Sequence, residues 1–387
     1  MDGLKKRIEE LFPQMVEWRR DFHRNPELSY HEQKTQQKIV RFLEECGLEV
    51  KTEWGGYGVT GYLRGVKPGP TIALRADMDA LPIQDEKMCE YRSQVDGVMH
   101  ACGHDGHMTM LMATAQILCE RRESLAGNVL FLFQHAEELL PGGAQQMVKA
   151  GVLEGVDAIF GIHLWTPYPV GTISLCSGEI MAAADSFEIE VVGRGGHGGV
   201  PHQATDAVMI AAHVITNLQT IISRQLDPLE SGVITVGAIE GGNAFNVIAE
   251  RCRLKGTVRS FKREIREMLV KRMEEVIQHT CQMYGADYRF HYGWGYPPVV
   301  NHEEQAGQMM EIARKVGTFL PMKPIMGGED FAYYLEQVPG AFCFVGAGNR
   351  DKGIAAPHHH PQFDIDEDAL KVGVELFVRL VEEQLVR

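Results

Sequence analysis

The stretch Met99-His100-Ala101-Cys102-Gly103-His104-Asp105-Gly106-His107 packs one thiol, three imidazoles and one carboxylate into nine residues, with two glycines between them. Imidazole and thiolate are the donors a borderline-soft cation such as zinc prefers. Glycine permits the tight turns that aim several donors at one centre. More donors follow strand-like apolar runs. Thr71-Ile72-Ala73-Leu74 leads into Arg75-Ala76-Asp77-Met78-Asp79, the run 128–133 into Gln134-His135-Ala136-Glu137-Glu138, and the run 158–162 into His163. Near the end comes Pro357-His358-His359-His360-Pro361. Short apolar runs capped by acids or histidines match buried strands of a parallel sheet. Open α/β sheets bind ligands at the carboxyl edge of such strands. The clusters therefore point to one convergent metal centre. Its candidate ligands are Cys102, His104, one of Glu137 or Glu138, His163 and one of the late histidines, enough for two cations bridged at about 3.5–4 Å. Two adjacent glutamates suit a division of labour, one ligating and the other taking a proton from water. Asp79 is placed to accept a hydrogen bond from a ligating histidine.

Composition sets the limits. The 387 residues suffice for two or three domains, and 44% apolar with 23% charged residues is ordinary for a globular chain. A net charge of −14 argues against a nucleic-acid or anionic-membrane partner. No signal-peptide pattern follows Met1-Asp2-Gly3-Leu4-Lys5-Lys6-Arg7, and no run reaches the length of a membrane span. The eight cysteines are scattered, and apart from Cys102 they read as free core thiols of a reducing cytoplasm.

Along the chain, residues 4–46 read as helices joined near Asn25-Pro26, followed by a strand over 48–54 and a glycine-rich hairpin. Strands and helices then alternate to about Gly178, with a helix from Thr109 directly after the histidine loop, which suggests a βαβ sheet. Between about Ala184 and Trp294 the pattern becomes β-α-β-β-α-β, the order of a ferredoxin-like split unit. The expected organisation is an α/β catalytic domain over 1–183 and 295–387, interrupted by a smaller domain over 184–294.

At these motifs the chain resembles the metallopeptidase family of aminoacylases, hippurate hydrolases, carboxypeptidase-G-type enzymes and indole-acetyl-amino-acid hydrolases. The resemblance covers essentially the whole length. It rests on Arg75-Ala76-Asp77-Met78-Asp79-Ala80-Leu81-Pro82, the loop from Met99 to His107, Gln134 to Glu138, and Gly193-Arg194-Gly195-Gly196-His197 with Pro201-His202. Gly241-Gly242-Asn243-Ala244-Phe245-Asn246-Val247-Ile248 and Gly327-Gly328-Glu329-Asp330-Phe331 complete it. It implies a mixed-sheet catalytic domain interrupted by a lid. It also implies two divalent ions, zinc first with cobalt, manganese or nickel as alternatives, held by Cys102, His104, Glu138, His163 and His359. His358 is the alternative to His359. Glu137 becomes the general base, Asp79 orients a ligand, and His197 from the lid stabilises the oxyanion, often across a dimer interface. Asn246 and Arg259 bind the substrate near its carboxylate and reacting carbonyl, with backbone amides near Gly328 as another carboxylate site. One movement of the lid is expected to deliver Arg259 and Asn246 together. The implied activity is hydrolysis of N-acyl-L-amino acids by a cytoplasmic homodimer or homotetramer. A carboxypeptidase or dipeptidase, or a non-catalytic metal-binding protein, are the alternatives. Two departures from the wider family, Asp77 for a ligating histidine and Cys102 for a bridging aspartate, place the chain in the amidohydrolase subgroup.

Overall fold

The computed structural model of the chain describes residues 3–386. Leu4, Ile8, Leu11 and Met15, at helical spacing, bury one face of α1 (Gly3–Arg24), and α2 (Gln33–Glu45) follows the break at Asn25-Pro26. Next come β1 (Glu49–Lys51), β2 (Val59–Arg64), β3 (Lys67–Asp77), α3 (His104–Glu120), β4 (Ala126–Gln134), α4 (Gly143–Lys149), β5 (Ala158–Pro169), β6 (Thr172–Leu175) and β7 (Gly178–Met181). β8 (Ala183–Val192), β9 (Gly196–His197), α5 (Ala207–Thr220), β10 (Gly232–Gly241), β11 (Val247–Ile248), β12 (Arg251–Ser260), α6 (Arg263–Met283) and β13 (Asp287–Tyr296) follow. The last elements are β14 (Val299–Asn301), α7 (Glu303–Val316), β15 (Thr318–Pro321), α8 (Ala332–Leu335), β16 (Gly340–Gly348) and α9 (Asp368–Leu385).

The chain forms two compact units. One runs to Ile180 and resumes with Val300–Lys323 and the residues from Asp330 onward; the other comprises Met181–Val299 and Pro324–Glu329. The first is built on an eight-stranded mixed sheet in the order β1-β2-β4-β3-β5-β16-β6-β15. Its central strands β4, β3, β5 and β16 run parallel, so their carboxyl ends share one edge. They are buried on both faces through most of their length, which is why they read as continuous apolar runs rather than alternating ones. α3 is buried almost all round and packs between α1 and α9. It begins at His104, not at Thr109. Gly103, at φ +98°, turns the chain in the left-handed region, and Asp105 supplies an anion to the first turn. β1 is shorter than the expected strand over 48–54, because the left-handed Glu53 and Gly55 end it.

The second unit is a four-stranded antiparallel sheet, β10-β12-β8-β13, in the order of a ferredoxin-like fold. Phe187, Ile189 and Val191 alternate along β8 toward a core shared with Val214 and Leu218 of α5 and Leu269, Met273 and Ile277 of α6. Asp206 caps α5 by accepting from the Val208 and Met209 amides. A two-stranded ribbon of β9 and β11 was not legible in the sequence pattern.

Two buried polar side chains, Arg75 and Glu32, bind the first unit together. Arg75 donates to Gln134 Oε1 (2.9 Å), Asp77 Oδ2 (2.6 Å) and Asp330 Oδ1 (3.0 Å), joining β3, β4 and the segment before α8. All three charged groups are at most 1% exposed. Arg75→Met is therefore expected to cost about 3–5 kcal/mol by stranding two buried carboxylates. A loss below about 1 kcal/mol in urea unfolding would show that the pairing is replaceable. Glu32, fully buried just before α2, accepts the Ala136 amide at 2.8 Å. Burial, and then the charge of Asp79, push its carboxyl up to about 8. The folded chain thus keeps a proton that the unfolded chain loses from about pH 4.5, so stability falls as pH rises toward 8, by an amount on the order of 4 kcal/mol. Glu32→Gln is expected to flatten that fall. Thermal unfolding of both proteins at pH 5 and pH 8 checks it, and parallel pH curves would sink it.

Candidate metal centre

The parallel edge of the first sheet gathers the donors. β3 ends at Asp77 with Asp79 just beyond, β4 leads into Glu137 and Glu138, and His163 lies on β5 beside Phe344 of β16. The turn at Gly103 sets Cys102 before α3 and His104 in its first turn. Cys102 belongs to two triads whose donor atoms lie within 4.8 Å of one another: one with His104 and His163, the other with Glu138 and His359. His104, Glu137 and Glu138 form a third such group. Cys102 Sγ stands 3.4 Å from His163 Nε2, and His359 Nε2 stands 3.2 Å from Glu138 Oε1.

Hydrogen bonds settle which imidazole nitrogens face inward. His104 Nδ1 donates to the Asp79 carbonyl (2.8 Å), with the Asp79 carboxylate at 3.3 Å, and its Nε2 is buried without a hydrogen-bond partner among the described residues. His163 Nδ1 donates to the Leu164 carbonyl at 2.7 Å, which leaves Nε2 toward Cys102. Both arrangements are those of ligating histidines whose far nitrogen is held by an oxygen acceptor. His107 differs. Its Nδ1 donates to Asp77 (2.6 Å) and its Nε2 accepts the Leu164 amide (2.8 Å), so neither nitrogen is available to a cation. His358 donates Nε2–H to the Leu164 carbonyl (3.0 Å) and stacks on Trp165 at 4.4 Å, whereas His359, at φ +63°, turns toward Cys102 and Glu138. The His359 amide donates to the Ala101 carbonyl at 2.8 Å, which ties the late histidine loop to the Cys102 loop.

The electrostatics call for positive charge. Burial opposes charging His104, but Asp77, Asp79 and Glu138 outweigh it and lift that imidazole to about 10. Burial and the carboxylates of Glu138 and Glu137 push the Cys102 thiol well up. Burial, and then the rings of His107 and His358, hold His163 neutral. The protonated His104 and the retained thiol proton offset the same excess of anionic oxygens that divalent cations would neutralise. The donor set of thiolate, imidazole and carboxylate, with buried nitrogen and oxygen atoms aimed inward, fits two such ions.

Sequence reasoning missed the residues that brace this edge. Ser29 donates to Asp79 Oδ2 at 2.6 Å, and the Glu138 amide donates to the same oxygen at 2.9 Å. Glu32 holds the amide of the left-handed Ala136, next to Glu137. Arg19 and His23 of α1 bind Asp105 at 2.9 and 2.7 Å and anchor the start of α3. A lone serine or glutamate in the connection between α1 and α2 carries no local signal of such a role. His100 and His135 belong to none of the candidate ligand groups among the described residues, and His135 Nε2 meets Gln146.

The second unit places its four candidates in two separate groups. His197 on β9 pairs with Val247 of β11, and the Gly198 amide donates to the Asn246 carbonyl at 2.8 Å. Both residues line a cleft of about 830 Å³ with Arg251 and Arg253. His197 Nδ1 accepts the Gly199 amide at 3.0 Å, so a neutral ring carries its proton on the outward Nε2. Arg259 pairs instead with Ala184, at the other end of β8, where Nη1 donates to Thr257 Oγ1 at 2.5 Å. Gly328 lies there too, close enough that a Cβ would sit 2.6 Å from the Ala184 side chain. Arg253 of the cleft pairs with Glu190 and Arg259 with Ala184, so along β12 the two groups are about 20 Å apart at about 3.3 Å per residue. One movement of one chain therefore does not bring Arg259 and Asn246 to the same small molecule, contrary to expectation.

Residues 73–383 match the model of Peptidase family M20/M25/M40. The N-acyl-L-amino acid amidohydrolase of Geobacillus stearothermophilus is 45% identical over 303 residues, 78% of this chain and 82% of that protein. Thermostable carboxypeptidase 2 of Saccharolobus solfataricus is 39% identical over 376 residues, 96% of each. The crystal structure of the Bacillus subtilis YXEP protein, described as a dinuclear metal binding peptidase from the M20 family, matches with a TM-score of 0.85 at 36% identity, covering 96% of this chain and 98% of that one. A family match across most of the chain, with relatives of this identity along its length, means that the chain belongs to Peptidase family M20/M25/M40.

Proposed function

We propose that this protein hydrolyses the amide bond of N-acyl-L-amino acids, releasing a carboxylic acid and a free amino acid. The observation that carries the reading is Cys102, shared by two donor triads beside the acid pair Glu137-Glu138. Cys102, His104, Glu138, His163 and His359 would hold two divalent cations. Zinc suits the thiolate and imidazole donors best, with cobalt, manganese and nickel as alternatives. When bound, such cations would supply Lewis acidity and lower the pKa of water. Glu137 takes the proton of the attacking water and returns it to the leaving nitrogen. Asp79 holds His104 in its ligating tautomer through Nδ1. His197 donates from Nε2 to the oxyanion, and Arg259 offers its planar fork to the α-carboxylate. Asn246 and the Gly328 amide complete the substrate contacts.

The two ends of β8 shape the assembly. A small substrate is far shorter than the separation of His197 from Arg259, so both act on one molecule only if two copies contribute. The smallest assembly that fits is a homodimer, with a homotetramer as a multiple of it. We place the protein in the cytoplasm because all eight cysteines are unpaired. Among the described residues no helix is long and apolar enough to cross a membrane.

A carboxypeptidase reading is favoured by the Saccharolobus relative, whose name states that activity. The same donors and base serve either bond. A kinetic panel of N-acyl-amino acids against dipeptides separates them, and higher kcat/KM on dipeptides would replace the first reading with the second. A non-catalytic role is disfavoured by the presence of Glu137 and Asp79 beside the ligands.

Glu137→Gln is expected to retain its metal and lose at least about 10²-fold in kcat. Cys102→Ala is expected to lose metal along with activity, and wild-type metal content in that variant would remove Cys102 from the ligand set. His197→Ala and Arg259→Ala are each expected to be impaired alone, Arg259→Ala by about 1–4 kcal/mol in kcat/KM on charged substrates. When the two are dissociated together and reassembled, activity should reappear in mixed dimers. No recovery from verified mixed dimers would mean that the two residues do not serve one substrate from different copies.

A further inference from the structure

The Ala184 end of β8 carries two arginines with different fates. Arg266 of α6 donates Nε and Nη2 to the two carboxylate oxygens of Asp185, at 2.8 and 2.5 Å. The Tyr292 hydroxyl (2.7 Å) and the Gly295 amide (2.8 Å) donate to the same carboxylate, which is 2% exposed. Four donors fill the roughly four lone-pair positions of a carboxylate. Asp185 therefore has no oxygen left for Arg259, the other cation beside it. Among the described residues Arg259 has no ion pair, and its Nε and Nη2 have no hydrogen-bond partner. Burial draws its pKa below the ordinary value, and the charge of Asp185 offsets only part of that. Arg259 is thus a half-buried guanidinium that still lacks an anion.

Thr257 and Arg259 stand two residues apart on β12, so their side chains share one face of the sheet. The Thr257 hydroxyl donates to the Asp185 carbonyl at 2.6 Å and accepts Arg259 Nη1 at 2.5 Å. Nη1 also meets the Val258 and Asp185 carbonyls, at 3.2 and 3.4 Å. Threonine is stiff at χ1, so its hydroxyl is a firm support. With Nη1 turned back onto the sheet, the open edge of Arg259 is Nε with Nη2, the same edge that Arg266 gives to Asp185. We propose that Thr257 is a positioning residue of the carboxylate subsite: its hydroxyl holds Nη1, so that Nε and Nη2 of Arg259 take the α-carboxylate of the substrate side-on as a bidentate pair. This role rests on the reading of Arg259 as the residue that meets that carboxylate. A long side chain fixed beforehand loses less freedom when the ligand arrives, so Thr257 acts on affinity more than on the chemical step. The paired donors suit two anionic oxygens. An α-carboxamide offers one oxygen and an NH2 donor, which cannot accept from the second nitrogen.

The test uses the full-length, metal-loaded protein with N-acetyl-L-methionine and its α-carboxamide as paired substrates. Thr257→Val removes the hydroxyl and keeps the β-branched shape. It is expected to raise KM for the acid about 5- to 30-fold and to leave kcat within about threefold. On the carboxamide its kcat/KM should change by less than about twofold, which also reports that the variant is folded. Thr257→Ser restores the hydroxyl and is expected to recover most of the preference for the acid. Should Thr257→Val not fold, Thr257→Ala carries the same expectations. A wild-type KM for the acid in the variant without the hydroxyl overturns the proposal. So does an equal loss on acid and carboxamide, or a Thr257→Ser protein as impaired as Thr257→Val. Arg259→Ala is the reference. If it loses acid and carboxamide equally, the carboxylate reading of Arg259 fails, and the role of Thr257 with it. If it loses the acid selectively and Thr257→Val does not, only the role of Thr257 fails.

Discussion

Asp77, Asp79, Glu137 and Glu138 converge around His104 in the interior of the first unit. Like charges at that depth repel strongly and are poorly solvated, so each needs a specific partner. Asp77 has Arg75 and His107. Asp79 has Ser29 and the Glu138 amide. The remaining anionic oxygens, with the thiol of Cys102, face the inward nitrogens of His104 and His163. A parallel sheet makes this concentration possible, because its strands end together, and it makes cations the natural complement.

The same constraint explains why neighbouring histidines do different work. His104 and His107 stand one turn apart on α3, yet only His104 keeps a nitrogen for the centre. His107 spends both nitrogens on Asp77 and the Leu164 amide, and so couples β3 to β5. His358 and His359 divide in the same way. One stacks on Trp165 and binds a carbonyl, and the other reaches Glu138 through a left-handed backbone. In the first pair the difference lies in what meets the second nitrogen, and in the second pair in the backbone turn at His359.

In the second unit, strand length is the governing quantity. β8 is long enough to hold the His197 cleft and the Arg259 end well apart. Rigid antiparallel pairing on both sides of β8 prevents the two ends from approaching.

Residue type and local spacing already declared much of this. The apolar runs 71–74, 128–133 and 158–162 announced buried parallel strands, and the donors beyond them announced the edge where candidate ligands gather. The dense loop from Met99 to His107 announced the centre itself, and the β-α-β-β-α-β pattern announced the second sheet. These features are local, since burial on both faces, strand alternation and donor chemistry each show within a few residues. Only the tertiary structure decided that α3 starts at His104, that His359 rather than His358 turns to Glu138, and that Ser29 and Glu32 brace the acids. It also separated Arg259 from His197. Those outcomes depend on strand order, register and backbone handedness, which set the distance between remote segments and leave no periodic trace in the chain.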